Sequence, residues 1–362
     1  MHIGKFSEFY VDVTKDATKI PQEQYLTIGR YPIIDQGQKS IAGMWDNPDG
    51  LYKQVPAIVF GDHTRAIKYA DKPFFIGADG VKVLRPAHAG DNVKYLFYAL
   101  QAARIPNLGY SRHFKVVKEL EIRVYPREKQ DEIVRVLEQI DSLLEQRQNE
   151  ILQMDELVKS RFVEMFESQA WERVRAGTIL LNMRNGVSPS NIGTYPAKVL
   201  TLSAITQGDF NPGSWKDGMF DVEPPIEKRV TASDFYMCRG NGNKKLVGVG
   251  VYSKEDRYDL IFPDTAIAAT VDLQRICLPY LFYAWQQPFV RKQIEAGART
   301  TNGTYKINQG VVSKIELVLP PIELQHQFAA FVAEVDKSKL AVQQSLVKLE
   351  TLKKSLMQRY FG

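Results

Sequence analysis

Cysteine is almost missing from these 362 residues: Cys238 and Cys277 stand far apart and form no Cys-x-x-Cys pair. That excludes a disulfide-stapled secreted scaffold and a zinc knuckle, and it suits a reducing cytoplasm. Histidine is scarce too, five in all and scattered, so no metal-ligand cluster and no HExxH motif is present. There is no GxxxxGK[ST] loop, no glycine-rich turn after a strand of the dinucleotide or methyl-donor kind, and no GxSxG. No stretch approaches the roughly 18 apolar residues of a spanning helix. At the amino terminus Glu8 and Asp12 interrupt what a signal peptide would keep apolar. These absences leave a binding protein that is not itself an enzyme, with no cofactor or metal of its own and no membrane association.

What is present is the bulk of an ordinary folded protein, 44% hydrophobic and 25% charged, and long enough for two or more domains. An internal repeat organises it. Tyr95-Leu96-Phe97-Tyr98-Ala99 recurs 185 residues later as Tyr280-Leu281-Phe282-Tyr283-Ala284. A second block, ELEIRVYPREKQDEIVRVLEQID ending at Asp141, aligns 195 residues later with KIELVLPPIELQHQFAAFVAEVD ending at Asp336, placing Pro126 on Pro321 and Gln130 on Gln325. LVKSRFVEMF and LKKSLMQRYF continue the match, with Phe166 on Phe361.

In each copy a short strand is predicted (Leu120, Ile122, Val124; then Ile315, Leu317, Leu319), stopped by proline and followed by a long helix. Residues 127–167 contain neither Pro nor Gly, so that helix would run roughly 60 Å. Its apolar stripe is Ile133, Leu137, Ile140, Leu144, Ile151, Met154, Val158 and Met165, broken by Arg147 and Arg161. The last helix carries Phe328, Val332, Val335, Val342, Leu346, Leu349, Leu356 and Tyr360, broken by Lys339 and Lys353. Both follow the heptad spacing of a coiled-coil seam. One chain supplies two matched seams, so an intramolecular pair is expected; the first helix has 6 basic and 11 acidic residues, the second 6 and 4, which favours the pairing.

The expected fold is therefore α+β with an internal pseudo-two-fold repeat. A globular mixed α/β module occupies 1–126, a long helix 127–167, a second module 168–320 and the last helix 321–362. The two helices pack on each other as an intramolecular coiled coil. Each module is basic, with 17 basic against 13 acidic residues in the first and 18 against 14 in the second. Little identity joins the two between their matched ends, so the frame repeats and the filling differs. The second module opens on Trp171-Glu172-Arg173-Val174, whereas the first has only Phe9-Tyr10-Val11-Asp12 as lead-in.

Candidate contact segments lie in both fillings. In the first they are His63, Thr64, Arg65 and Lys68, with Ser111, Arg112, His113 and Lys115. In the second they are Arg184 and Asn185; Arg239, Asn241, Asn243, Lys244 and Lys245; and Arg299, Thr301, Asn302, Tyr305 and Lys306. Tyr110 aligns with Tyr305, which puts GYSRHF and GTYKIN at one place in the repeat. Arg reads guanine edges, Asn adenine edges, and Lys and hydroxyls hold phosphates, so the side chains suit double-stranded DNA. Taken singly, each segment also reads as a solvated turn.

YPIIDQGQ (31–38), IVFGDHTR (58–65), FIGADGVKVLRP (75–86), YLFYAL (95–100), GYSRHFK (109–115) and the proline-glutamine-helix block at 126–141, echoed at 321–336, together resemble the specificity (S) subunit of type I restriction-modification systems. The resemblance covers essentially the whole chain. It implies two target recognition domains, each reading one half of a split asymmetric site, separated by two antiparallel conserved helices that fix the spacer. It also implies docking of methyltransferase (M) subunits, two per chain, and of restriction (R) subunits through the complex. Adenine N6-methylation with S-adenosylmethionine, and ATP- and Mg-dependent translocation and cleavage, would belong to those partners. In this reading Arg112 and His113 serve one half-site, Arg299 and Lys306 the other. A coiled-coil adaptor that binds proteins, a recognition subunit of another bipartite restriction system, and a cryptic nuclease remain alternatives.

Overall fold

A computed structural model describes residues 1–77, 79–109, 111–167, 169–190, 192–301 and 303–362. The chain divides into two compact units, Met1–Asn149 with Val342–Gly362, and Glu150–Ala341.

The first unit begins with β1 (His2–Lys5), α1 (Phe6–Phe9), β2 (Tyr10–Asp12), β3 (Tyr31–Ile34), β4 (Gly43–Trp45), β5 (Ala57–Gly61), β6 (Ile67–Ala70), β7 (Phe75–Ile76) and β8 (Val81–Pro86). α2 (Val93–Ala102), α3 (Phe114–Val117), β9 (Glu121–Val124) and the first part of α4 (Arg127–Phe166) follow. An antiparallel sheet in the order β2-β8-β5-β6 packs one face on α2. A second sheet orders β4-β3-β7, with β3 parallel to β7, and β1 pairs with β9. Strand β5 is buried at every residue, as an apolar run in the middle of a sheet should be.

The second unit runs through β10 (Glu172–Arg175), β11 (Leu180–Asn185), β12 (Tyr195–Leu200), α5 (Ser203–Thr206), β13 (Trp215–Phe220), β14 (Arg229–Val230), β15 (Asp234–Cys238), β16 (Gly240–Asn241), β17 (Gly250–Tyr252), β18 (Arg257–Ile261) and β19 (Ala266–Val271). It continues with α6 (Leu278–Trp285), α7 (Pro288–Gly297), β20 (Arg299–Thr301), β21 (Thr304–Lys306), α8 (Gln309–Lys314), β22 (Glu316–Leu319) and the first part of α9 (Ile322–Phe361). Its sheets are β11-β19-β15-β17, β13-β12-β18-β14, β16-β21-β20 and β10-β22, with β12 parallel to β18.

The fillings therefore correspond, which the sequence does not reveal. β2-β8-β5-β6 matches β11-β19-β15-β17, and β4-β3-β7 matches β13-β12-β18. The second unit adds β14, α7 and the sheet built on β20 and β21. The offset grows from 185 to 195 between α6 and β22, the stretch that holds α7. The lead-in expectation is corrected in the same way. β1 pairs His2 with Val124 as β10 pairs Glu172 with Leu319, so the first module has its opening strand. HIGK and ERVR share no residue, and most of their side chains face solvent, so backbone pairing alone marks the equivalence.

Repeated polar residues hold each frame together. Buried Gln130 accepts the Asn92 amide on Oε1 (2.7 Å) and donates from Nε2 to the Asp91 carboxylate and the Tyr125 carbonyl, both at 2.8 Å. Gln325 does the same with the Cys277 amide (2.9 Å) and the Pro320 and Arg275 carbonyls (2.8 and 3.1 Å). Each glutamine thus satisfies an amide at the start of α2 or α6 and a carbonyl at the turn into its own helix, groups that would be costly to bury unpaired. Tyr95 donates to the Arg123 carbonyl and Tyr280 to the Val318 carbonyl, both at 2.7 Å. Phe361 lies 5.2 Å from the Tyr95 ring, and Phe166 lies 4.8 Å from Tyr280.

Each unit contains one half of each long helix, running in opposite directions. In the first, Ile133 and Leu137 share a core with Leu356 and Tyr360. In the second, Val158 shares one with Phe328 and Val332. All the stripe positions are buried or half-buried, whereas Leu143, Leu152, Leu157, Leu340, Val347 and Leu352, off the stripe, are exposed. The two lysines that break the second stripe reach acids of α4: Lys353 pairs with Asp141 in the first unit, and Lys339 with Asp155 in the second at 2.5 Å. No helix among the described residues is long and apolar enough to cross a membrane.

Candidate nucleic-acid interface

In the first unit the candidates gather at the β5–β6 turn. Asp62, buried at the end of β5, accepts the Phe114 amide on its carboxylate (2.7 Å) and Nδ1 of His113 on its carbonyl (2.8 Å). Nε2 of His113 accepts the Leu108 amide at 3.1 Å. This clamp ties Leu108 and His113 to the end of β5, and Ser111 and Arg112, both exposed, directly precede His113 in the chain. Gln36, in the β3–β4 loop, supports the turn. Its Oε1 accepts the His63 amide (3.3 Å), its carbonyl accepts the Thr64 hydroxyl, and its Nε2 donates to the Asp79 carbonyl (3.1 Å). Arg65 has φ 60° and donates to the Ile105 carbonyl at 3.3 Å. Gly80, at φ +86°, comes so close that a Cβ would lie 2.9 Å from His63 Cδ2, so only glycine fits. Lys115 is exposed on α3.

Two candidates in this unit are structural. His113 is fully buried with both ring nitrogens engaged, so it positions Arg112 and does not itself face a ligand. Lys68 is 9% exposed and donates to the Asp35 carbonyl (2.8 Å) and carboxylate (3.3 Å). Burial holds its pKa below the usual lysine range against the opposing pull of Asp35. The carboxyl of Asp79 sits below its usual range, first through the hydrogen bond from Lys19 and to a smaller degree through Arg112. Arg112 therefore already stands near a counter-charge. Substituting His113 by alanine is expected to lower the stability of the first unit by about 1–3 kcal/mol, since a fully buried ring and its bonds to the Asp62 carbonyl and the Leu108 amide are lost. A thermal melt checks this.

In the second unit RGNGNKK and RTTNGTYKIN, distant in sequence, come together in the β16-β21-β20 sheet. Arg299 and Gly240 both lie opposite Lys306, and Asn241 lies opposite Tyr305. Lys244 and Lys245 are exposed in the following turn, which Asn243 caps by accepting the Lys245 amide (3.0 Å). Arg291 of α7, absent from the sequence expectations, fastens this turn through the Val247 and Lys244 carbonyls (2.6 and 3.1 Å). Arg239 donates to the Asp264 carbonyl at 3.1 Å, and Tyr305 is half-buried against the core. Asn302, the side chain of Thr301 and the aligned Tyr110 lie outside the described residues.

Arg184 does not join this group. Its guanidinium grips Asp234, 1% exposed, at 2.5 and 3.2 Å, and donates to the Glu227 carbonyl at 2.6 Å. It is a buried ion pair of the core sheet. Asn185 accepts from Gln309 at 3.4 Å. Inward-facing cations of this kind leave no pattern in a sequence. The clamp residue Asp62 leaves none either, while Gln130 and Gln325 are signalled by the repeat.

The exposed groups are thus cations in both units, joined by the Ser111 hydroxyl in the first and the Asn243 amide in the second, an arrangement suited to a polyanion. Residues 11–153, from β2 into α4, match the family described as the type I restriction modification DNA specificity domain. Over those residues the first module is similar to that domain. Over the whole chain the fold is similar to the type I restriction-modification system S subunit from M. genitalium, with a TM-score of 0.61, 17% identity, and coverage of 100% of this chain and 96% of that one. It is also similar to a chain from a structural study of complex assembly and conformational transition of the type I R-M system, with a TM-score of 0.56, 14% identity, and coverage of 99% and 97%. At these identities the likeness is one of fold. Among curated proteins no relative was found. The resemblance drawn from the sequence is thus met by a family match over residues 11–153, and the expected two-module fold by the likeness in fold over the whole chain.

Proposed function

We propose that this chain is the non-catalytic DNA-recognition subunit of a cytoplasmic type I restriction-modification complex. Each unit reads one half of a bipartite, asymmetric site, and the helix pair sets the spacer. The carrying observation is that the second module repeats, sheet for sheet, the module that matches the DNA specificity domain. Its cationic sheet of Arg299, Lys306 and neighbours would occupy one half-site, and the His113-pinned loop with Arg112 the other. Two methyltransferase subunits, carrying S-adenosylmethionine for adenine N6-methylation, would dock on the frame. ATP and Mg would act in the restriction subunit.

Separate half-sites make a sharp test. Arg112→Ala is expected to relax base choice only in the half-site of the first module, and Arg299→Ala or Lys306→Ala only in the other. A residue that reads a base contributes about 1–3 kcal/mol of discrimination, and one that holds a phosphate weakens all sequences alike. Methylation of randomised sites by the complex reads this directly. Relaxation of both half-sites by one substitution contradicts the assignment.

A further inference from the structure

One aromatic group occurs in both units, filled in the first and open in the second. In the first, Tyr69, Phe97 and Tyr98 stand beside Asp141. Lys94, the second residue of α2, places Nζ 3.9 Å from the Tyr69 ring centre and 5.6 Å from that of Phe97, with Glu138 3.8 Å away. The Tyr98 hydroxyl donates to Asp141 (2.7 Å), which also holds Lys353. Two of the chain's own ammonium groups occupy this place.

Each member of the group has a counterpart in the second unit. Phe235 pairs with Tyr252 as Ile58 pairs with Tyr69; Phe282 and Tyr283 follow at the 185 offset, and Asp336 at 195. The occupants do not carry over. Lys94 is replaced by Pro279, again second in its helix, Glu138 by Ala333, and Lys353 by the buried Val158. The space stays open as a cleft of about 380 Å³ walled by Phe210, Tyr252, Phe282 and Tyr283. An adjoining cleft of about 480 Å³, lined by Pro279 and Ala333, shares Tyr252 and Asp336 with it. Neither tyrosine hydroxyl hydrogen-bonds to a described residue.

The charge of the lining is negative on a module that is otherwise basic. Asp209, Glu255 and Asp336 face Lys254 alone, and Lys254 meets Asp336 at 2.6 Å with 72% of its side chain exposed. Ring faces and carboxylates attract a cation and repel phosphate. We propose that this slot takes the ammonium or guanidinium end of a lysine or arginine side chain from a partner polypeptide, in the position that Lys94 fills in the first unit. The proposal is independent of the DNA reading.

The test uses the full chain with ¹³C-labelled tyrosine rings, observed by NMR. The probes are N-acetyl-lysine methylamide, its neutral norleucine analogue, and cadaverine as a free diamine. The lysine amide is expected to shift the Tyr252 and Tyr283 signals saturably, and the norleucine amide to leave them in place. P279K, which restores the internal lysine, should weaken the probe about tenfold, and K254A, which releases Asp336, should tighten it. Equal shifts by norleucine, undiminished binding to a folded P279K, no gain in K254A, or binding of cadaverine without the lysine amide would each overturn the proposal.

Discussion

Replacing Arg184 by methionine is expected to destabilise the second unit by about 3–5 kcal/mol, because Asp234 would be left as an uncompensated charge inside the sheet. The pair is well built. Arg184 meets both Asp234 oxygens, and Asp234 also accepts the hydroxyls of Thr231 (2.7 Å), Thr270 (2.9 Å) and Tyr236 (3.3 Å). Those three hydroxyls remain in the variant but carry no charge. Arg184→Lys keeps the charge and loses the fork that grips two oxygens, so an intermediate loss is expected. In the first unit Ala57 holds the position of Asp234, and no ion pair is needed there. Removing both partners with R184M/D234A should therefore recover much of the loss. Denaturant unfolding of the wild type, R184M, D234A and R184M/D234A checks the cycle. An unchanged midpoint for R184M with altered base choice would return Arg184 to the DNA-contacting set.

Shortening both long helices by one heptad between their two Lys–Asp pairs is expected to shorten the spacer by about three base pairs and leave both half-sites as they are. Residues 144–150 and 344–350 are suitable, since they lie between Asp141 and Asp155 on one helix and between Lys339 and Lys353 on the other. Seven residues are about 10 Å of helix, against 3.4 Å per base pair. A heptad also returns the apolar stripe to within about 20° of its former direction, so the seam stays closed. Removing five residues from each helix would turn the stripe by about 140°, away from its partner, and should abolish assembly. Methylated-site mapping distinguishes these results, and a spacer unchanged by the heptad deletion contradicts the ruler.

Much of the frame is legible in the sequence because it rests on repetition and period. Pro126 and Pro321 mark the turns, Gln130 and Gln325 recur at one offset, and the stripes at 133–165 and 328–360 fall at heptad spacing. Each of these signals is local or self-referential. The strands inside the modules are not legible as a repeat, since β5 and β15 share a position in the sheet but only an apolar character. The opening strand β1 is hidden for the complementary reason that its side chains face solvent and its backbone alone carries the pairing. The contact residues divide by the direction in which a cation points. Arg112, Lys244, Lys245, Arg299 and Lys306 face solvent, whereas Lys68 and Arg184 turn inward to Asp35 and Asp234. Residue type is the same in both groups, and only the tertiary position of an acid separates them.

The most direct test of the account is to map methylated bases in a cell that expresses this chain with its methyltransferase and no other specificity subunit. The expected result is one split motif with two unlike half-sites and a single spacer length, lost when this chain is absent. A continuous motif, a palindromic pair of identical half-sites, or methylation independent of this chain would contradict two modules reading two different half-sites.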